Sequence, residues 1–205
     1  MVTNQAKLLA ATDIILAGAF GLILPILPIF LIDRISGATL LTIALSYSIF
    51  LTAKAFFGWV FGLFLTHGDY ISRIKSGLFF GSLLITATPI AYLYATNIGH
   101  IFLAQILLGL GFAFMKTSWM HLTHQTIEEF FHETLLHIHG FILTFCLAIA
   151  AALGGFISYN YGYETLLYTM TSLGLLATIL SIIFSFSKDK KPAKRKTTKR
   201  KSRAS

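Results

Sequence analysis

One ammonium, Lys54, sits near the middle of LSYSIFLTAKAFFGWVFGLFL, residues 45–65, where every other residue is apolar, small or hydroxyl-bearing. At the centre of a bilayer such a group costs about 2.5–3.5 kcal/mol even on the lenient insertion scale, so it calls for a compensating partner and marks a pathway or a site. Asp13 is the only carboxylate inside another apolar run; the remaining acids fall at run ends or in connections. It is the candidate partner of Lys54, and equally an acid that complements a helix N-terminus. Five histidines, His121, His124, His132, His137 and His139, crowd residues 120–139 beside Glu128, Glu129 and Glu133. Histidine with one carboxylate is a zinc ligand set, but this spacing matches no established metal motif. Neither a metal nor a cofactor is assigned; amphipathic surface and a pH-sensitive linker are the other readings of the cluster. The single cysteine, Cys146, excludes an intrachain disulfide and a cysteine metal cluster. The apolar runs hold no nucleophile–base pair and no paired carboxylates, which argues against an enzyme.

Lys54, Gly58 and Gly62 share a stripe at i, i+4, i+8. Small residues at that spacing admit a neighbouring helix, so the stripe is expected to face protein or a wet cavity rather than lipid. Snorkelling is the competing reading. Lys54 lies about 15 Å from either end of its helix, however, and a lysine stem reaches only about 6 Å. In the first apolar run, GLILPILPIF places Pro25 and Pro28 three apart. Each proline removes a backbone donor and frees a carbonyl. At membrane depth freed carbonyls are tolerated where protein or a cavity satisfies them, so the pair reads either as a shaped solute path or as a static kink.

The elements that position these residues follow from composition. The 205 residues are 56% hydrophobic and 12% charged, with mean hydropathy +0.76, against about a quarter charged in soluble domains. Six apolar stretches are long enough to span a bilayer: 9–32, 40–65, 74–96, 98–119, 137–160 and 164–186. Short breaks rich in Gly, Asn or Asp separate them, except for 120–136, whose periodicity predicts an interfacial helix. The predicted fold is therefore all-α, a polytopic membrane protein of six transmembrane helices, with segments 1–8, 9–187 and 188–205 as N-terminus, helical domain and basic tail. Residues 188–205 hold ten Lys/Arg and one Asp, while the rest of the chain has net charge −1. Such a tail is expected to be disordered and to lie on anionic lipid; without interleaved aromatics it specifies no nucleic acid. Lys7, Arg73, Lys75, Lys116 and the tail fall on one side of the spans and Arg34 on the other, which predicts both termini in the cytoplasm and a cytoplasmic-membrane location.

Four segments resemble conserved stretches of the major facilitator superfamily, in its N-terminal six-helix half. LAQILLGLGFAF is similar to the family's Arg-x-x-x-Gly-x-Gly pattern, with Gln105 at the arginine position and Gly109 and Gly111 retained. CLAIAAALGG resembles its glycine- and proline-rich run and keeps Gly154 and Gly155. YNYGYETLLY has the shape of the stretch that opens the sixth helix. GLFLTHGDYISRIK resembles the loop between helices two and three, with Thr66 at the aspartate position and Asp69, Arg73 and Lys75 keeping the charge types. The resemblance implies two inverted three-helix repeats, with helices one and four lining a central cavity. It makes Lys54, Gln105, Pro25, Pro28 and Asp13 the substrate-path candidates. Gly58, Gly62, Gly109, Gly111, Gly154 and Gly155 are the helix-packing candidates.

The expected function is half-size transport of a small solute by alternating access. It would be completed by a homodimer or by a separate second six-helix half. The alternative is a non-transporting membrane scaffold that presents its polybasic tail to anionic lipid or RNA.

Overall fold

The computed structural model describes residues 4–65, 70–126 and 129–186, with side chains over 7–65, 71–123 and 137–186. Six helices follow in order: α1 (Asn4–Ile23), α2 (Leu27–Arg34), α3 (Leu40–Leu65), α4 (Tyr70–Leu93), α5 (Ile98–Thr126) and α6 (Glu129–Phe186), with no strand among the described residues. Four of these are long and apolar enough to cross a membrane, or five if the bent pair α1–α2 is one span. The protein is an all-helical, integral multi-pass membrane protein.

The prolines explain the bend. Pro25 and Pro28 cannot donate to the carbonyls of Gly21 and Leu24, so the α-helical ladder lapses over 24–26. A single turn, Ile26 N–H to Ile23 O at 2.9 Å, bridges the gap, and α2 leaves at 46° to α1. The interfacial helix expected over 120–136 is not a separate element. With no Gly or Pro from 112 to 139 to stop a helix, α5 runs through to Thr126 and α6 is already helical at Glu129.

α6 is broken once, at Gly162, where φ 84° and ψ 169° leave helical geometry. Only a residue without Cβ adopts that conformation cheaply. The break reverses the chain. Near its start, His139 touches Asp13 of α1, and near its end Ser185 reaches the backbone of Lys75 in α4. Just past Gly162, by contrast, Tyr163 and Glu164 meet Asp33 and Arg34 at the end of α2. Two core layers mark the two ends of the bundle. Leu9, Leu16, Leu65, Ile74, Leu78, Leu122 and Phe184 form one; Leu22, Phe30, Leu31, Tyr92, Ile101 and Leu166 form the other.

Within the bundle α1 packs on α6, α5 packs on both α3 and α4, and α4 packs on α6. Hydroxyls join α4 to α6: Ser82 and Ser181 lie 3.1 Å apart, as do Thr86 and Thr178. Each also bonds a carbonyl of its own helix, so the buried oxygens are satisfied.

Candidate substrate-path site

Gly109 builds the site. A Cβ at that position would stand 2.7 Å from Ala53 Cβ and 2.8 Å from Phe50 O, so only glycine lets α5 lie this close on α3. Phe112, one turn on, then reaches Phe50, with ring centroids 5.7 Å apart and edge-to-face. Phe20 of α1 closes the triangle at 5.1 Å from Phe112 and 6.1 Å from Phe50. Tyr47, exposed on α3, adds a fourth ring 6.0 Å from Phe50.

Lys54 belongs to this nest. Its Nζ lies 5.6 Å from the Phe112 centroid and 5.9 Å from that of Phe50, and the residue is half-buried. Cation–π contacts of this kind contribute about 0.5–2 kcal/mol. The two contacts together contribute about 1–4 kcal/mol, of the same order as the 2.5–3.5 kcal/mol or so of placing the charge at mid-bilayer, so the rings offset much of the cost while supplying no counter-charge. Among the described residues no carboxylate lies within 4.0 Å of Lys54.

Asp13 is engaged elsewhere. Its Oδ2 accepts from His139 Nε2 at 2.9 Å and lies 4.0 Å from Lys116 Nζ. The pairing of Asp13 with Lys54 expected from sequence is therefore corrected. Asp13 precedes Phe20, the α1 ring beside Lys54, by seven residues, or about 10 Å along the helix, which a lysine stem does not cover. Trp119 completes the Asp13 cluster: its ring stacks on His139 at 4.8 Å and 21°, and Lys116 lies over it at 4.5 Å. One carboxylate thus ties α1, α5 and α6 together at one end of the bundle. Sequence reasoning placed Lys116 only in the charge count and His139 in the histidine cluster. The i, i+3 spacing of Lys116 and Trp119 was the available signal.

A second clamp closes the opposite end. Tyr163 Oη donates to Asp33 Oδ2 at 2.6 Å, and Arg34 pairs with Glu164 at 3.5 Å.

The other expected positions fall as follows. Gln105 is buried on α5, one turn before Gly109. Pro25 and Pro28 form the α1–α2 bend. At Gly154 a Cβ would collide with the carbonyl oxygen of Leu22, and at Gly111 it would meet Gly81 O at 3.0 Å. A Cβ at Gly58 would reach Ala113 of α5 at 3.9 Å, in ordinary van der Waals contact, while at Gly62 and Gly155 nothing among the described residues lies within 4 Å. Arg73 donates to Phe64 O at 3.1 Å and covers its ring, tying the start of α4 to the end of α3. Lys75 is half-buried beside it. Asp69, the side chains of His124 and His132, and the tail lie outside the described residues. Among the described residues no three His, Cys, Asp or Glu side chains gather where a metal ion could be held.

Two interior voids, one by Pro89 and Tyr92 and one by Ser46 and Ile101, measure about 10 Å³ each. That is room for a single water, far below the roughly 300 Å³ of a small-molecule site. Phe20 of the ring nest borders the first of these voids.

The model of the Major Facilitator Superfamily matches residues 9–205. The chain belongs to that superfamily. No curated protein matches it. Members of the superfamily are transporters, so this protein is a transporter of the major facilitator type.

Proposed function

We propose that this major-facilitator protein is a half-size permease: six spans, arranged as two inverted three-helix repeats, that move a small solute by alternating access as a homodimer. The observation that carries this reading is a repeated contact. A Cβ at Gly21 of α1 would stand 3.0 Å from Ala150 Cβ of α6, and one at Gly109 of α5 would stand 2.7 Å from Ala53 Cβ of α3. The first joins spans one and five, the second spans four and two, as a two-fold exchange of repeats requires. The hydroxyl pairs Ser82–Ser181 and Thr86–Thr178 exchange with each other under the same operation. The Gly162 reversal supplies the sixth span. Residues 137–186 as one helix would run about 75 Å, against a hydrocarbon core of about 30 Å; divided at Gly162, each part runs about 36 Å.

The rest follows from the bundle. The two voids among the described residues are far smaller than a solute, and Lys54 is half-buried about two turns from the exposed Tyr47 on α3, so a second copy in the same orientation would complete the path. Pro25, Pro28 and Gln105 line it, the Asp13 and Asp33 clamps act at the two ends, and both termini lie in the cytoplasm. The tail would hold anionic lipid.

The test needs no knowledge of the solute. In a Cys146→Ala background, Lys54→Cys is exposed to a membrane-impermeant thiol reagent from each face of reconstituted vesicles. Reaction from both faces, by a protein that is dimeric in nanodiscs, is the expected result. A strict monomer, or reaction from neither face, overturns the reading.

A further inference from the structure

We propose that Lys54 and the rings around it recognise a monovalent organic anion with an apolar or aromatic body, such as a carboxylate. The proposal deepens the permease reading and rests on it for access from both sides of the membrane.

Charge bookkeeping within the helices points to an anion. Asp13, the acid nearest in depth, is taken by His139 and Lys116. Lys116 is also committed to the face of Trp119. Asp33 and Glu164 are held at the far end by Tyr163 and Arg34. That leaves Lys54 facing only the rings of Phe50 and Phe112, which offset part of its desolvation. A cation kept half-buried without a counter-charge favours whatever anion can reach it, and more strongly here than in water, because the surroundings are of low dielectric.

The shape of the nest narrows the class. Lysine is a compact point charge with no fork for bidentate phosphate recognition, and Lys54 is the only uncommitted cation among the described residues of the nest. One negative charge is matched; two would leave one buried and unpaired. Phe20 and Phe112, both half-buried, offer ring edges for an apolar body, with Phe50 buried behind them and the phenol of the exposed Tyr47 nearby on α3. Gly109 holds α5 tightly against α3, so the anion would approach from the side of the exposed Tyr47, where the half-buried lysine is partly accessible. Organic cations are repelled, and neutral analogues forgo the charge contact.

The test uses the full chain in phosphatidylcholine nanodiscs, with no anionic lipid to compete. Acylation of each lysine by an amine-reactive reagent is followed by peptide mass spectrometry with benzoate, octanoate, benzamide or benzylamine present. With benzoate or octanoate at about ten times its dissociation constant, Lys54 should be protected about tenfold while the tail lysines are unaffected. Benzamide and benzylamine should protect less than about twofold, since they lack the charge contact. In parallel, either carboxylate should raise the Tm of the wild type and leave that of Lys54→Met unchanged. Three results overturn the proposal: no protection by either carboxylate, equal protection by benzamide, or a Tm rise that survives Lys54→Met. Lys54 unreactive without any ligand would show a carboxylate of the second copy covering it, which also overturns it. Two-sided reactivity of Lys54→Cys with no carboxylate protection leaves the permease standing and removes only the substrate class.

Discussion

Lys54 and Asp13 show how differently two charged residues in apolar helices can be settled. Asp13 is buried and bonded to His139 across 126 residues, so its removal strands a partner. Asp13→Ala should lower unfolding stability in mild detergent by about 1–3 kcal/mol, the cost of leaving a buried polar group unmade. A double-mutant cycle with His139→Gln should show a coupling of about 0.5–3 kcal/mol; additive effects would mean the bond contributes nothing. Lys54 is the opposite case, since its rings compensate it only in part. Lys54→Met should leave the fold unharmed or stabilise it by about 1 kcal/mol, as expected where a side chain serves function at the expense of stability. A loss above 2 kcal/mol or so would make Lys54 a structural residue. Lys54 was legible in the sequence because a lone charge in an apolar helix stands out. The Lys116–Trp119–His139 set was not, because which residues meet across α1, α5 and α6 is decided by packing, and no local pattern encodes it.

Helix contacts turn on which face each glycine presents. Gly154 and Gly155 are adjacent, yet a Cβ on the first strikes the Leu22 backbone and on the second meets open space. Gly154→Ala should therefore push α1 off α6 and destabilise by about 1–3 kcal/mol or more, as overpacking does. Gly155→Ala should stabilise by about 0.5–1 kcal/mol through helix propensity alone. Thermal unfolding of the two variants decides the matter, and equal effects would contradict the packing described. The Lys54–Gly58–Gly62 stripe stays half-buried along its length, and α5 follows α3 as far as Phe61, whose ring lies 4.6 Å from that of Phe114. At 3.6 residues per turn a step of four rotates about 40° around the helix, so the closest approach falls at Phe50 and Ala53 and loosens toward Gly62. The apolar helices, four or five of them long enough to cross a membrane, were legible because hydropathy over 20 residues is a sum and tolerates local error. The Pro25–Pro28 bend was legible because proline acts on the backbone directly. The continuation of α5 to Thr126 was not: its polar sequence resembled an interfacial segment, while a helix without a stop signal simply continued.

At the scale of the whole molecule, the fold depends on α6 leaving and returning. His139 and Ser185 lie at the same end of the bundle, and Tyr163 lies at the other beside Asp33. Leu9 and Phe184 share one core layer, so the start of α1 and the end of α6 emerge on the same side. On the proposed orientation, in which the Lys/Arg asymmetry puts that side in the cytoplasm, Tyr159, exposed just before the Gly162 break, should face outward, and Ser72, exposed at the start of α4, should face inward. In a Cys146→Ala background, Tyr159→Cys on intact cells should react with a membrane-impermeant maleimide, whereas Ser72→Cys and Ser202→Cys should react only after permeabilisation. Reaction of Tyr159→Cys and Ser202→Cys both from outside, or of neither before permeabilisation, would mean that 137–186 does not cross twice, and with it the sixth span and the repeat symmetry would fall. Tyr159→Cys silent until permeabilisation with Ser202→Cys reactive from outside would keep the two crossings but invert the orientation, with the tail away from the anionic leaflet. Gly162→Ala tests the turn itself. Its φ of 84° is costly for a side chain, by about 1–2 kcal/mol, so outward labelling should persist with a lower Tm; a Tm unchanged within error would show that the reversal does not need the glycine.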